Sequence, residues 1–327
     1  MTPYRARYAR STTARNMTNK WSILAEVQIK VIHLHDMRTL TEDIIFFLES
    51  NGFKCSRQIR HDMDVICTGT LDGHYERVIL PLELKAATMQ EAEAASGQAW
   101  QTISAVRSLE GFPLIITEDR WNRQRSMMEA RLLAHLELFS QAYARNCEVR
   151  RIDKAQAQDF LSSSHSYGYA ACRYRYGLFL KRYTGHIAEE LGIKGAITEK
   201  LVAVATFSNA RKWIKDGKEI RSYEWTRYAS LPDLRISGGM GKLLKAFIKE
   251  VQPDDIMSYA DLEWSEGNVY RALGFKREDS KEAVDFIVDP LTWERKAIRN
   301  NVFHEDGKLY FRNFGSSKFR LKLTDYR

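Results

Sequence analysis

The sequence predicts an α/β protein with two domains, and three observations lead to this prediction. The chain has 327 residues, which is more than one ordinary domain contains. Helical and strand patterns alternate along it, as they do where helices pack on a central sheet. A glycine-bearing turn at 238–241 separates a strand pattern from an amphipathic helix, and such turns are suited to binding anions through backbone amides.

The first half of the chain is predicted to place three strands between two helices, followed by a buried strand and a charged helix. Asp72 and Gly73 are a strong hairpin signal. A turn centred on them pairs residues whose numbers add up to 145. The predicted elements are a helix at 39–50 capped by Thr39 or Thr41 and stopped at Asn51-Gly52, strands near 53–60, 63–69 and 76–84, and a helix at 88–108, then a strand at 112–117 and a helix at 120–143.

The second half is predicted to form one mixed sheet with helices on its faces. Its elements are strands at 147–152, 176–181, 200–208, 221–230, 255–259 and 283–288, and helices at 154–163, 239–250 and 266–273. We therefore predict a basic N-terminal arm at 1–36, a first domain at 37–145, a second domain at 146–290 and a basic aromatic tail at 291–327.

Positive charge is concentrated at the two ends of the chain. The net charge is +8, and residues 1–20 hold five cations without an acid. The tail alternates aromatic and cationic residues, which suits neutralisation of a nucleic-acid backbone together with base stacking. A solvated terminal hairpin is the alternative for the tail. For the N-terminal residues, the alternatives are a nucleic-acid arm, an organellar presequence and a start codon placed too far upstream.

Several classes of protein are disfavoured by the composition. No apolar run reaches the length of a membrane span, so no membrane partner is expected. The four cysteines are scattered without paired spacing, which suggests neither a zinc site nor a disulfide framework. We expect a cytoplasmic protein of a bacterium or of a phage-infected host, of unspecified oligomeric state.

Residues 224–250 carry the most specific motif of the second half. A strand ends at Leu231-Pro232, and a glycine turn leads into the helix. This stretch resembles the acyl-CoA-binding motif of the GNAT superfamily of acyltransferases, with Met240 where a small residue is usual. The resemblance implies that acetyl-CoA or another acyl-CoA is held by Arg235, Ser237, Gly238, Gly239, Met240 and Gly241.

A second motif follows at 258–278. Tyr270 begins a Tyr-x-x-Leu-Gly-Phe sequence that resembles the next GNAT motif, in which the tyrosine protonates the departing thiolate. Glu263 stands where that family usually has asparagine. Tyr259-Ala260-Asp261, followed by Gly267 and Tyr270, resembles Mom-type phage DNA-modification acyltransferases.

The resemblance implies roles for four residues. Tyr270 is the expected acid, and Asp261 is a candidate base or substrate orienter. Arg227 is expected to contact phosphate or substrate, and His165 to lie over the acceptor site. The alternatives are a packing role for Tyr270, a surface position for His165 and a helix-capping role for Asp261.

The first half contains residues suited to a metal site. With the predicted hairpin register, Asp62, Asp64, Glu83 and Lys85 fall on one face of the sheet. This pattern resembles the PD-(D/E)xK nucleases, and the surrounding pieces resemble very-short-patch-repair endonucleases. The resemblance implies Mg²⁺ bound by Asp64, Glu83 and Asp62, with Lys85 as a catalytic residue. An exposed polar sheet face is the alternative.

The expected fold is a restriction-endonuclease-like domain followed by a GNAT-like acyltransferase domain with a mixed central sheet. The leading hypothesis is a DNA-acting enzyme from a phage or mobile element that transfers an acyl group from acyl-CoA. One alternative is an endonuclease whose GNAT-like domain only binds or positions DNA. Another is a nucleic-acid-binding protein without activity.

Overall fold

The structure, a computed structural model, describes residues 38–69, 73, 76–181, 199–298 and 305–325. The predicted arm at 1–36 and Asp72 of the hairpin turn lie outside these residues. The chain divides into two compact units, residues 1–52 and 53–327, which are described separately. Within the described ranges, no helix is both long and apolar enough to cross a membrane.

The described part of the first unit is helix α1, Leu40–Ser50. The Thr39 hydroxyl accepts a hydrogen bond from the Glu42 amide, and the Glu42 carboxylate accepts one from the Thr39 amide at 2.9 Å. This reciprocal cap satisfies two amides that the first helical turn leaves unpaired. Gly52 follows the helix with a φ of 87°. The predicted helix, its Thr39 cap and its Asn51-Gly52 stop are confirmed.

The second unit begins with a four-stranded sheet in the order β1-β2-β3-β4. Its first three strands are antiparallel neighbours, and β4 is parallel to β3. Ile66 pairs with Ile79, which confirms the predicted hairpin register. The bounds are β1 Cys55–Arg60, β2 Met63–Gly69, β3 Glu76–Leu82 and β4 Leu114–Thr117, with helix α2 Met89–Glu110 between β3 and β4.

Apolar side chains of α2 and the sheet form the core of this region. Ile103 and Val106 of α2 pack in one cluster with Val78, Leu80 and Ile115. All four residues of β4 are buried, as its apolar run at 114–116 predicts.

The charged segment predicted as one helix at 120–143 is instead two helices and a strand. Glu137 has a φ of 68°, a left-handed conformation that a continuing helix cannot contain. The elements are α3 Glu118–Arg123, α4 Arg125–His135 and β5 Ser140–Tyr143. Strand β5 pairs in parallel with β11, Leu234–Ser237. Strands on both sides of the predicted boundary at residue 145 therefore share a sheet.

The large sheet has eight strands, with the order β13-β17-β12-β10-β8-β7-β6 and with β9 paired to β10. The β10–β12 pair is parallel and the other strand pairs of this sheet are antiparallel, so the predicted mixed sheet is confirmed. The strand predicted at 283–288 is not part of it and lies in a separate sheet. Its strands are β6 Cys147–Arg151, β7 Tyr174–Leu180, β8 Lys200–Phe207, β9 Arg211–Lys215, β10 Lys218–Ser230, β12 Asp255–Asp261, β13 Lys276–Lys281 and β17 Ser316–Lys322.

Within the part of the chain that the structure describes, three helices accompany this sheet: α5 Lys154–Ser164, α6 Gly239–Val251 and α7 Asn268–Ala272. Helix α6 inserts Phe247 among the aromatic side chains of the sheet, where it stacks on Phe207 with ring centroids 3.8 Å apart. A smaller sheet contains β14 Asp285–Val288, β15 Arg295–Ala297 and β16 Leu309–Arg312.

Strands β10 and β12 pair over only three residues each. Their pairs run from Ser222–Asp255 to Glu224–Met257, after which β10 pairs with β8 only, through a bulge between Trp225 and Arg227. The parallel pair is therefore open beyond Glu224, and this opening positions the site described below.

The tail predicted to stack on nucleic-acid bases lies inside the fold instead. Strand β17 is inserted between β12 and β13, and Phe319 is fully buried. Tyr310 and Phe311 are buried as well, and Phe314 stacks on Trp100. The prediction that these aromatic rings stack on bases is wrong because they contribute to the core.

Candidate active site

A cavity of about 560 Å³ is lined by residues of β10 and β12 beyond their last shared pair. All four residues predicted as catalytic in the second half line it: His165, Arg227, Asp261 and Tyr270. They come from the end of α5, from β10, from the end of β12 and from α7. The structure therefore brings together side chains that lie up to 105 residues apart in the sequence.

Tyr270 lies in the wall of this cavity next to Ser258. The Ser258 hydroxyl donates to the Tyr270 phenol oxygen at 2.8 Å and to the Trp225 carbonyl oxygen at 3.0 Å. Because a hydroxyl has one proton, Ser258 can donate to only one of these acceptors at a time. When it donates to the Trp225 carbonyl oxygen, the phenol can donate its own proton to the Ser258 oxygen. Burial raises the pKa of Tyr270, although Ser258 and the charge of Arg227 oppose this shift. The phenol therefore keeps its proton at neutral pH.

Arg227 is held by two backbone carbonyl groups. Its Nε donates to the Gly168 carbonyl oxygen at 3.1 Å, and its Nη1 donates to the Thr226 carbonyl oxygen at 2.8 Å. Burial lowers its pKa. These two hydrogen bonds fix the guanidinium against the cavity and tie β10 to the loop after α5.

His165 is neutral at neutral pH because burial and the nearby charges of Arg227 and Arg120 lower its pKa to about 3. Its Nδ1 accepts a hydrogen bond from the Tyr167 amide at 3.1 Å. The ring proton is therefore on Nε2, which makes His165 a hydrogen-bond donor in the cavity rather than a base.

Asp261 ends β12 and is bonded to two groups. Its carboxylate accepts a hydrogen bond from the Tyr167 hydroxyl at 2.8 Å and another from the Glu263 amide at 2.9 Å. Burial raises the pKa of Asp261 above its ordinary value, and the negative charge of Glu263 adds to this shift. The positive charge of Arg120 opposes it. A carboxylate with a raised pKa takes up a proton more readily, as a general base must.

A buried network of ions lies behind Asp261. Glu263 forms ion pairs with Arg120 at 2.9 Å and with Arg295 at 2.8 Å, and Arg295 is paired with Asp119 at 2.6 Å. Arg120 also lies 3.7 Å from Asp261. Residues from α3, from the loop after β12 and from β15 thus support one wall of the cavity.

Each of the three glycines at the start of α6 is explained by its backbone conformation or by its close neighbours. Gly238 is the N-cap and has a φ of 77°, which glycine adopts without strain. A Cβ at Gly239 would lie 3.1 Å from Ile236, and a Cβ at Gly241 would lie 3.3 Å from Leu273. Of the six residues predicted to hold CoA, Met240 lines the cavity.

Arg235 and Ser237 belong to β11, and their side chains contact residues in or next to β5 instead of the cavity. The Arg235 guanidinium lies over the Phe139 ring at 5.2 Å, and the Ser237 hydroxyl accepts a hydrogen bond from Gln141 at 3.0 Å. Neither is among the residues that line the cavity.

The start of α6 fits a phosphate group. The first amides of a helix have no intrahelical acceptor, and the helix dipole favours an anion there. The first turn of α6 contains no acid, and the neighbouring Met240 side chain reaches the cavity. An acyl-CoA could be held there through the amides of Gly239, Met240 and Gly241.

The predicted metal site in the first half does not form. Asp62 has a φ of 59° and lies in the turn between β1 and β2, not in a strand. Arg57 donates two hydrogen bonds to Asp64, at 2.8 and 2.7 Å, and Glu83 is ion-paired with Lys85. Across the described ranges, no three His, Cys, Asp or Glu side chains are grouped to hold a metal ion. The prediction of Mg²⁺ at Asp62, Asp64 and Glu83 is therefore not supported.

Three residues of the site were missed in the sequence. Tyr167 and Ser258 lie in stretches that resemble the acyltransferases, but neither residue belongs to a motif with a stated role. Arg120 is 143 residues from its partner Glu263, and no local pattern predicts that contact.

No family model matches the chain, and no curated protein matches it. Similar solved structures include Eis1 from Mycobacterium abscessus, at 13% identity and a TM-score of 0.29, with 44% of this chain and 34% of that chain covered. This chain thus spans about a third of the length of Eis1. Another is a mutant of the toxin AtaT bound to the C-terminus of the antitoxin AtaR and acetyl-CoA, at 12% identity and a TM-score of 0.25, with 51% of this chain and 93% of that chain covered.

A third is an acetyltransferase of the GNAT family from Bacillus anthracis, at 11% identity and a TM-score of 0.27, with 54% of this chain and 95% of that chain covered. At TM-scores this low, the likeness assigns neither a fold nor an activity to the chain.

Proposed function

We propose that this protein transfers an acyl group from acyl-CoA to an acceptor on DNA, in the cavity between β10 and β12. One observation carries this proposal. A phenol that stays protonated, Tyr270, and a carboxylate with a raised pKa, Asp261, line the same cavity. Acyl transfer from a thioester requires one group of each kind.

The chemistry follows from these two residues. When bound, an acyl-CoA supplies the thioester carbonyl that the acceptor attacks. Asp261 takes the proton that the acceptor loses as its bond to the acyl carbon forms. Tyr270 gives its proton to the sulfur as the carbon–sulfur bond breaks, and solvent then removes the proton from Asp261 and returns one to the phenol. His165 donates through Nε2 and orients the acceptor, and Arg227 adds positive charge beside Tyr270.

The DNA acceptor is supported by the Mom-type pattern Tyr259-Ala260-Asp261 with Tyr270 and by the basic composition of the chain.

We propose that residues 37–145 and 146–290 remain the two functional parts. The first part contributes Arg120 of α3, which lies behind the cavity wall beside Asp261 and Glu263. Among the described residues, no group of side chains could hold the metal ion that a nuclease would need. We therefore propose that the first part supports the cavity and does not act as a nuclease.

Calorimetric titration with acetyl-CoA tests the proposal, with Gly238→Asp and Gly238→Ala as a matched pair of variants. Both impose a side chain on the left-handed φ, and a Cβ there meets Ala144 only at ordinary contact distance. Only the aspartate places a negative charge where the pyrophosphate would lie. We expect wild type and Gly238→Ala to bind, and Gly238→Asp to bind much more weakly. Failure of the wild type to bind acetyl-CoA would refute the proposal.

A further inference from the structure

One face of the large sheet carries positive charge on several neighbouring strands. Because residues paired across neighbouring strands share a face, the register shows which side chains lie together. Arg211 pairs with Ser222, Ser222 with Asp255, and Asp255 with Lys322. We call this side of the sheet the cationic face, with the residues Arg211, Lys215, Lys218, Lys276, Lys318 and Lys322.

Side-chain contacts agree with this assignment. The Ser222 hydroxyl donates to the Asp255 carboxylate at 2.5 Å, and Arg320 donates to the same carboxylate at 2.7 Å. Lys276 pairs with Arg320 across β13 and β17. Strands β9, β10, β12, β17 and β13 therefore all contribute to this side of the sheet. Its middle is buried at Ser222 and Asp255, where Arg320 bonds to both, and exposed cations lie to either side of this middle.

Two acids on this side of the sheet, Asp255 and Glu278, are compensated by cations, and Asp279 is a further, exposed acid opposite Lys318. Asp255 is paired with Arg320 at 2.7 Å, and Glu278 is paired with Arg320 at 2.8 Å and with Lys318 at 3.5 Å. Arg211, Lys218 and Lys276 are exposed, and the described part of the chain offers none of them an ion-pair partner. Their charge is thus available to an external anion.

The hairpin of β9 and β10 adds a second observation. Lys215 and Lys218 are directly opposite each other across the turn at Asp216-Gly217. Like charges in opposed positions destabilise a strand pair. An external anion bound by both lysines would remove this repulsion.

The cationic face leads to the cavity. Lys318 pairs with Tyr259, and Ser316 pairs with Asp261, so Tyr259 and Asp261 lie on the same side of the sheet as the cations. The Lys281 ammonium lies 3.7 Å from the centre of the Tyr259 ring, and both residues line the cavity. Phe247 of α6 packs against Tyr223, whose side chain points to the other side of the sheet from Ser222.

We infer that the cationic face binds the phosphate backbone of duplex DNA and delivers the acceptor to Asp261. The inference rests on the proposed function and specifies the surface that such a substrate would occupy. Five strands at about 4.8 Å spacing span about 19 Å. Duplex DNA carries one charge per ~1.7 Å of axis, so this width matches many phosphates rather than one small anion.

Fluorescence anisotropy with a labelled DNA duplex tests the inference across a series of salt concentrations. Lys215→Ala/Lys218→Ala removes two cations from the face. Lys245→Ala/Lys249→Ala removes two exposed cations from α6 and is the matched control. Each lost phosphate contact reduces the slope of log affinity against log salt by about 0.9. We expect the slope to fall by about two in the hairpin variant and to stay unchanged in the control.

Equal slopes in the wild type and the hairpin variant would overturn the inference, as would a wild type that does not bind the duplex. Equal competition by polyglutamate of the same charge would also overturn it. Thermal melting of both variants shows whether the hairpin change affects folding, and Arg211→Ala with Lys276→Ala then repeats the test on other strands. Calorimetry with acetyl-CoA separates the two claims: binding of acetyl-CoA without the slope change refutes the face alone, whereas no binding refutes the proposed function.

Discussion

The Tyr167 hydroxyl donates a hydrogen bond to the Asp261 carboxylate over 2.8 Å, although the two residues are 94 positions apart. Burial and the charge of Glu263 raise the pKa of Asp261, whereas this hydrogen bond lowers it. Tyr167 therefore limits how far the pKa rises and orients the carboxylate within the cavity. This pair gives the loop after α5 a role in the proposed proton transfer.

Tyr167→Phe should shift the pH dependence of acyl transfer. A hydrogen bond to the charged form of a carboxyl lowers its pKa, so its loss should raise the pKa of Asp261 further. The acidic limb of the kcat/KM profile should therefore move to higher pH. Tyr169→Phe is the control, because Tyr169 contacts Cys172 and not Asp261. An unchanged acidic limb in Tyr167→Phe would remove Asp261 from the role of base.

Arg295→Gln should strongly destabilise the second unit. Arg295 is 9% exposed and neutralises Glu263 and Asp119, which are also buried. Removing one partner of a buried ion pair leaves uncompensated charge and costs about 3–5 kcal/mol. Urea unfolding at pH 7 measures the loss. Arg312→Gln, which removes a more exposed arginine paired with Glu93, should cost about 1 kcal/mol or less.

Arg295→Gln should destabilise the protein less at acidic pH than at pH 7. Arg295 lowers the pKa of Asp119 and of Glu263 against the effect of burial. Stability from a lowered carboxyl pKa is present above the unfolded pKa, about 4, and is lost as pH falls through the folded pKa. The stability difference between wild type and Arg295→Gln should therefore shrink below about pH 4. A difference that stays constant into acid would mean that the arginine acts through packing alone.

Mg²⁺ or Mn²⁺ should not raise the melting temperature of the protein. Asp64 is held by two hydrogen bonds from Arg57, and Glu83 is paired with Lys85, so a metal would have to displace both cations. Differential scanning calorimetry with each metal measures this directly. Glu83→Gln is the control: a metal-dependent stabilisation that is present in the wild type and lost in this variant would restore the metal-site prediction.

Local signals in the sequence predicted the elements that depend on local chemistry. Thr39 and Glu42 identify the start of α1 because their reciprocal cap involves residues only three positions apart. The Asp72-Gly73 signal predicted the register in which Ile66 pairs with Ile79. The motif residues Asp261 and Tyr270 were found because both lie within one continuous stretch.

Contacts between distant segments could not be predicted in this way. In β17, Ser317 and Phe319 are buried while Lys318 and Arg320 point to the other face. This alternation is typical of a strand with one buried face. The same alternation is equally typical of a segment whose aromatic and cationic residues bind nucleic acid. Only the pairing of β17 with β12 distinguishes the two, and the sequence does not show that pairing. The Arg295 ion pairs depend on the same long-range assembly.

Turnover of Tyr270→Phe tests the central claim most directly. Release of CoA thiol from acetyl-CoA in the presence of duplex DNA gives the rate, and calorimetry gives the affinity for acetyl-CoA. Because the variant loses the proton for the departing sulfur while Ser258 keeps its hydrogen bond to the Trp225 carbonyl oxygen, we expect kcat to fall about 100-fold or more while the affinity stays nearly unchanged. Equal turnover in Tyr270→Phe and the wild type, or no thiol release by the wild type, would contradict acyl transfer in this cavity.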